Sequence, residues 1–229
     1  MTSANILIVV TSHAVIGDSG RATGLWLEEL TTPYYAFVDA GARVDIASIR
    51  GGEVPIDPNS ISDNGDKPAS VERFRNDAAA MRTIQASAAI DSLAADDYDA
   101  IFLPGGHGTM WDLPDNSTLA DLLSRAWAAG KVLGAVCHGP AGLVNVKDSM
   151  GHSAIAGRRL TAFSNNEEKA AGLDQAVPFM LETRLRELGA LYERGDDFHP
   201  YAVRDGHLVT GQNPMSSAAV AQLILEILT

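Results

Sequence analysis

The feature that most restricts the fold is an alternation of short apolar runs with longer helical stretches, sustained along the whole chain. The first run, Ile6-Leu7-Ile8-Val9-Val10, is apolar without a break, as in a strand covered on both faces. A polar, glycine-bearing loop follows over 12–24, then a helical pattern over 25–40 stopped by Gly41. Further strands are predicted over 44–49, 99–103, 131–136 and 159–163, and helices over 71–93, 119–129 and 177–188. Residues 51–70, rich in Gly, Pro, Asp and Ser, read as a surface excursion with little regular structure. Asp205-Gly206 between two apolar runs marks a hairpin, and a last helix begins near Pro214. This order predicts an α/β fold, a doubly wound and mostly parallel sheet with helices on both faces, in one domain over 1–229. Ligands of such sheets bind outside the carboxyl ends of the strands, so the loops after Val10, Leu103, Val136 and Phe163 are where function is expected.

Composition removes several classes. A net charge of −12 argues against nucleic acid and anionic membranes, because phosphate binding needs a basic face. No apolar run approaches the roughly 20 residues that span a bilayer. The start, MTSANILIVV, lacks a basic leader and reads as a first strand, which makes the cytoplasm the expected compartment. With one cysteine no intrachain disulfide can form, in keeping with a reducing compartment, and Cys₄ or Cys₂His₂ zinc sites are excluded.

That cysteine, Cys137, ends a buried-looking strand and opens Cys137-His138-Gly139-Pro140. A cysteine there can simply fill core space, but a tight strand-to-helix turn would push its sulfur out of the sheet on a strained backbone. Helix amides after the turn would then favour the thiolate. Upstream, Gly105-Gly106 lets the backbone approach a reacting carbonyl and offers N–H groups to an oxyanion. There is no GxGxxG at the first strand turn and no Walker A motif, and no cofactor is called for. His13, His107, His152, His199 and His207 show no metal-binding spacing and read mostly as surface or loop residues, His107 having a claim on the pocket through its place beside the glycine pair. Trp26 and Trp111 read as core packing.

The segments FLPGGHGTMWDLPDN and GAVCHGPAGL resemble the ThiJ/PfpI superfamily, whose fold is similar to the flavodoxin-like class I glutamine amidotransferases. TGLWLEEL, TAFSNNEEKA and DGHLVTGQNP extend the likeness over nearly the whole chain, toward the branch of heat-shock chaperones and glutathione-independent glyoxalases. The resemblance implies Cys137 as nucleophile, His138 as its base and acid, Glu29 as a carboxyl against the sulfur, and Glu168 as the acid that orients the histidine. Glu28 and Glu167 are one residue away from those carboxyls and compete for the same roles. A zinc site exists in some members, but its ligands are not matched to residues of this sequence, and no metal-binding residue is assigned. A homodimer is implied.

The function expected is a cofactor-independent glyoxalase. It would turn methylglyoxal or a similar 2-oxoaldehyde into a 2-hydroxy acid through a hemithioacetal on Cys137, with the oxyanion on backbone amides near Gly106 and His138. Three alternatives stand beside it: a peptidase, amidase or deglycase using the same triad, a holdase chaperone, and a redox sensor. The last is weakened because no second cysteine can resolve a sulfenic acid.

Overall fold

A computed structural model describes residues 3–61 and 68–229. The first half of the chain contributes β1 (Asn5–Val10), α1 (Leu27–Asp39), β2 (Arg43–Ser48), α2 (Ala69–Asn76), α3 (Ala78–Gln85), β3 (Ala88–Ala89), β4 (Ala100–Leu103) and α4 (Thr109–Asp112). The second half contributes α5 (Ser117–Ala128), β5 (Val132–Val136), β6 (Arg159–Leu160), α6 (Asn165–Ala170), α7 (Leu181–Glu187), β7 (Leu191–Tyr192), β8 (Ala202–Asp205), β9 (Leu208–Gly211) and α8 (Ser217–Leu228).

Strand side chains alternate between faces, and the two halves of the core follow that alternation. Leu7, Val9, Ile101, Leu103 and Leu133 pack on one face with α5 and α7. Ile6, Ile8, Val10, Phe102 and Val136 pack on the other with α1, α2, α3 and α8. Both faces being covered explains why β1 is apolar at every position from Ile6 to Val10. The sheet runs β3-β2-β1-β4-β5-β9-β8, parallel except for the edge strand β8, which pairs antiparallel with β9 across the Asp205-Gly206 turn. From β1 the chain winds outward through β2 to β3, then returns to β4 on the other side of β1. This reversal opens a crevice at the carboxyl ends of β1 and β4.

Four expectations are corrected. The helix predicted over 71–93 is two helices, because Asp77 is extended and its carboxylate accepts the N–H groups of Ala79 and Ala80, closing α2 and capping α3. The chain after α3 then bridges Gly52 through Ser87 and adds β3 to the sheet. Of the predicted surface excursion, Leu25 pairs with Ile56 and Asp57 is buried under the Thr23 hydroxyl; 62–67 lie outside the described residues. Only Arg159–Leu160 of the predicted strand over 159–163 is extended, and it pairs with β7 in a separate two-stranded sheet while β9 takes the place beside β5. The helix predicted from 177 starts at Leu181, as Pro178 disfavours helical backbone at the residue before it. Among the described residues, no helix is long and apolar enough to cross a membrane.

Candidate active site

Cys137 follows β5 directly and has φ of 59°, a left-handed backbone that a residue with a Cβ adopts at a cost of about 1–2 kcal/mol. Two hydrogen bonds fix it there: its N–H donates to Gly211 O at 2.9 Å, and its carbonyl accepts Phe163 N–H at 2.8 Å. One bond comes from β9, the other from the segment after β6, so the bend is clamped between the central sheet and the smaller one. The following turn is a short 3₁₀ run, Gly139–Leu143, in which a Cβ at Gly139 would run into the Leu103 carbonyl.

Around the bend the structure gathers His138, Glu168 and Glu29. Nδ1 of His138 lies 3.2 Å from the Cys137 sulfur, and Nε2 lies 2.7 Å from Oε2 of Glu168. With the Nε2 proton donated to the carboxylate, Nδ1 presents its lone pair to the thiol. Burial, then the neighbouring His107, push the His138 pKa down, so the ring is neutral and basic at neutral pH. Burial alone would raise the Glu168 carboxyl, but the imidazoles of His138 and His107, each hydrogen-bonded to one of its oxygens, outweigh it and hold the group well below the usual range. The competing Glu167 has another task. It forms a capping box with Ser164 at the start of α6, and its Oε1 accepts the N–H of Phe198 and the side-chain amide of Asn213.

Glu29 stands near the start of α1 and is completely buried, whereas Glu28 is partly exposed. Its Oε2 accepts the Gly105 N–H at 2.7 Å, Oε1 is buried without a hydrogen-bond partner, and the carboxyl has the Cys137 thiol as its neighbour. Burial raises its pKa well above 4.5, outweighing the Gly105 amide and the thiol. A protonated carboxyl is therefore the form that sits against the sulfur, with a proton to donate.

Two expectations about the sulfur's surroundings change. The Gly105 N–H is occupied by Glu29 and is not free for an oxyanion; the Gly106 amide faces the sulfur instead. Gly105 matters by its missing side chain, since a Cβ there would lie 2.6 Å from His138 N and 2.9 Å from Glu29 Oε2. Gly106, at φ of 96°, packs under the 24–26 backbone. The thiol is also not acidified by a helix start. Burial is the main cause and pushes the Cys137 pKa well up, and the Gly106 amide only partly opposes it. The resting pair is thus thiol and neutral imidazole, and the thiol loses its proton in the act of attack.

His107 is the residue the sequence undervalued. Its Nε2 lies 2.8 Å from Oε1 of Glu168, and its ring centroid is 4.1 Å from that of His138. The signal was its place directly after Gly106; a spacing rule could not find it, because its partner is 61 residues further on. His13 stacks on Trp111 at 5.2 Å, and the imidazole of His152 is largely exposed. The donor atoms of His107, His138 and Glu168 fall within 4.8 Å of one another. Their N···O separations of 2.7 and 2.8 Å are hydrogen-bond distances, shorter than the about 3.3 Å between ligands around zinc. The carboxylate fills the space a cation would need, and the cluster fits protons better than a metal.

A family model described as the DJ-1/PfpI family matches residues 22–227. The curated protein "Glutathione-independent glyoxalase HSP31" of Saccharomyces cerevisiae is 31% identical, over 96% of this chain and 96% of its own. Among solved structures, the Rapid Encystment Protein 24 KDa of Francisella tularensis is 42% identical with a TM-score of 0.94, over 99% of both chains. Glyoxalase III of Candida albicans is 26% identical with a TM-score of 0.88, over 98% of this chain and 97% of that one. A match that runs through α1, the glycine pair, the elbow and the acid of α6 leaves one conclusion: this chain belongs to the DJ-1/PfpI family.

Proposed function

We propose that this protein is a glutathione-independent glyoxalase that converts methylglyoxal or a similar 2-oxoaldehyde into the 2-hydroxy acid. The observation that carries the reading is the pairing of two environments on one sulfur: a neutral imidazole 3.2 Å away and a buried, protonated carboxyl as neighbour. Acyl transfer alone needs the first; moving a hydrogen between adjacent carbons also gains from the second.

His138 Nδ1 takes the thiol proton as the sulfur bonds the aldehyde carbon, C1. The carbonyl pair moves to the C1 oxygen, which faces the Gly106 amide and takes a proton from the imidazolium, leaving a neutral hemithioacetal. Glu29 donates its hydrogen bond to whichever atom, sulfur or oxygen, is negative. His138 then removes the C1 proton and delivers it to C2, so that an enediol becomes a thioester. Water cleaves the thioester, releasing the acid and restoring the thiol. One carbon is oxidised and its neighbour reduced, so the step balances without an external oxidant or reductant.

The test is lactate formation from methylglyoxal without glutathione, for the wild type and Cys137→Ala. Turnover that vanishes in the variant supports the reading, and full turnover in the variant overturns it. The same assay run against peptides and amides decides between an isomerase and a hydrolase built on the same residues.

A further inference from the structure

The two oxygens of Glu168 serve two different imidazoles. Oε2 takes His138 Nε2 and Oε1 takes His107 Nε2, at 2.7 and 2.8 Å. A carboxylate that only oriented His138 would need one of these bonds. The rings lie against each other at 4.1 Å between centroids, and Phe163 borders both. The His107 side chain is 12% exposed and that of His138 only 1%, so His107 is the member of the cluster that reaches the mouth. Its backbone follows Gly106, whose amide faces the sulfur, and its ring lies against that of His138, whose Nδ1 is 3.2 Å from the sulfur.

The reaction leaves a role open. Acidifying the C1 hydrogen of a hemithioacetal requires that the neighbouring ketone oxygen accept a proton or strong hydrogen bond as the enediol forms. His138 is engaged with the hydrogen on carbon, and Glu29, held between the Gly105 amide and the Cys137 sulfur, serves the sulfur and the C1 oxygen, which leaves the C2 oxygen without a proton donor.

We infer that His107 is a second catalytic imidazole, the acid that protonates the substrate's ketone oxygen while His138 takes the C1 proton, with Glu168 as their common counter-ion. This rests on the glyoxalase reading. In this scheme His107 brings the proton to the step, its charge balanced by the Glu168 carboxylate 2.8 Å from Nε2. The C1–H bond then breaks, its proton goes to His138 Nδ1, and its electron pair becomes the C1–C2 double bond. The C2–O π pair moves to oxygen, which takes the His107 proton. In the second half the enediol π pair at C2 takes the proton from His138, and the C1 hydroxyl returns one to His107 as the thioester carbonyl forms. The positive charge passes from one ring to the other and back, while Glu168 touches both. The buried cluster stays neutral throughout, which avoids the desolvation cost of an isolated charge.

The test compares wild type, His107→Asn, His107→Gln and His107→Ala on methylglyoxal, with thermal unfolding as a folding control and iodoacetamide alkylation of Cys137 as a measure of the nucleophile. The expectation is a kcat lower by about 100-fold or more in each variant, unchanged alkylation, an increased isotope effect with substrate deuterated at C1, and recovery of His107→Ala by added imidazole. Wild-type turnover with near-normal kcat in His107→Asn would overturn the role of His107 and leave the glyoxalase reading standing. So would a loss that imidazole does not restore and that slows alkylation, which would mark His107 as positioning Glu168 only. A wild type inert toward every 2-oxoaldehyde, with Cys137 still alkylated, would bring down the glyoxalase reading and this inference with it.

Discussion

Glu167 and Glu168 are adjacent and both buried, yet Glu168 meets two imidazoles while Glu167 meets only N–H donors, from Ser164, Phe198 and Asn213. The first is tied to chemistry and the second to the shape of the mouth, because the Phe198 amide it accepts belongs to a residue with φ of 57° whose ring packs on Phe163.

Glu168→Gln and Glu167→Gln should therefore separate. Glu168→Gln is expected to lower kcat by about 100-fold or more. Since the folded-state pKa of Glu168 is depressed, its stabilisation is present above 4.5 and lost as pH falls below it. The variant's melting deficit should accordingly shrink in acid. Glu167→Gln should cost about 2 kcal/mol by disturbing three hydrogen bonds, two of them buried, with a smaller effect on kcat. Chemical denaturation alongside steady-state kinetics checks both.

Glu29→Gln has the opposite pH signature. A carboxyl whose folded pKa is raised favours folding only while protonated, so the wild type loses stability as pH climbs from 4.5 toward that raised value. Gln keeps the acceptor for Gly105 and carries no titrating proton. The variant should match the wild type near pH 4, exceed it in melting temperature at pH 8, and still turn over slowly. A variant that melts lower than the wild type at pH 8 would contradict a neutral Glu29.

Cys137 should alkylate slowly at neutral pH. With its pKa raised above 9, the thiolate fraction grows about tenfold per pH unit between pH 6 and 9 with no plateau. The rate of iodoacetamide labelling against pH measures this directly. A plateau below pH 7 would mean a resting thiolate instead.

Gly105→Ala tests the close approach at the glycine pair. The added methyl meets His138 N at 2.6 Å and Glu29 Oε2 at 2.9 Å, contacts that must be relieved at about 1–3 kcal/mol. Activity should fall further than stability, because the displaced groups are those nearest the sulfur. Kinetics and melting of the variant at one pH suffice.

Much of this was legible in the chain because it rests on local pattern. The unbroken apolar run of β1, the Asp205-Gly206 turn, and Cys137 between a buried strand and Gly139 each carry their own signal. What stayed hidden depends on distant partners. Asp77 breaks a helix because its side chain outcompetes the backbone, a choice that composition alone does not reveal. Leu160 looks like a central strand residue, but which neighbour it pairs with is decided by β9 already lying beside β5. The depressed or raised acidity of each group followed from burial, and burial is a property of the assembled core. This is why the thiol, read locally as activated, has its pKa pushed up by burial instead.

The elbow sits on a seam. Cys137 is carried by the large sheet, whereas Phe163 and Glu168 arrive on the strip that begins with β6, which is joined to the large sheet by separate hydrogen bonds and not by a strand ladder, among them Arg159 N–H to Asp205 Oδ2, Thr161 N–H to Thr210 Oγ1 and Phe163 N–H to the Cys137 carbonyl. Sulfur and imidazole ride with one body and their acid with the other, so a slip of the strip by less than an ångström uncouples the proton path while every strand remains paired. Heat or mild denaturant should silence this protein before it unfolds it.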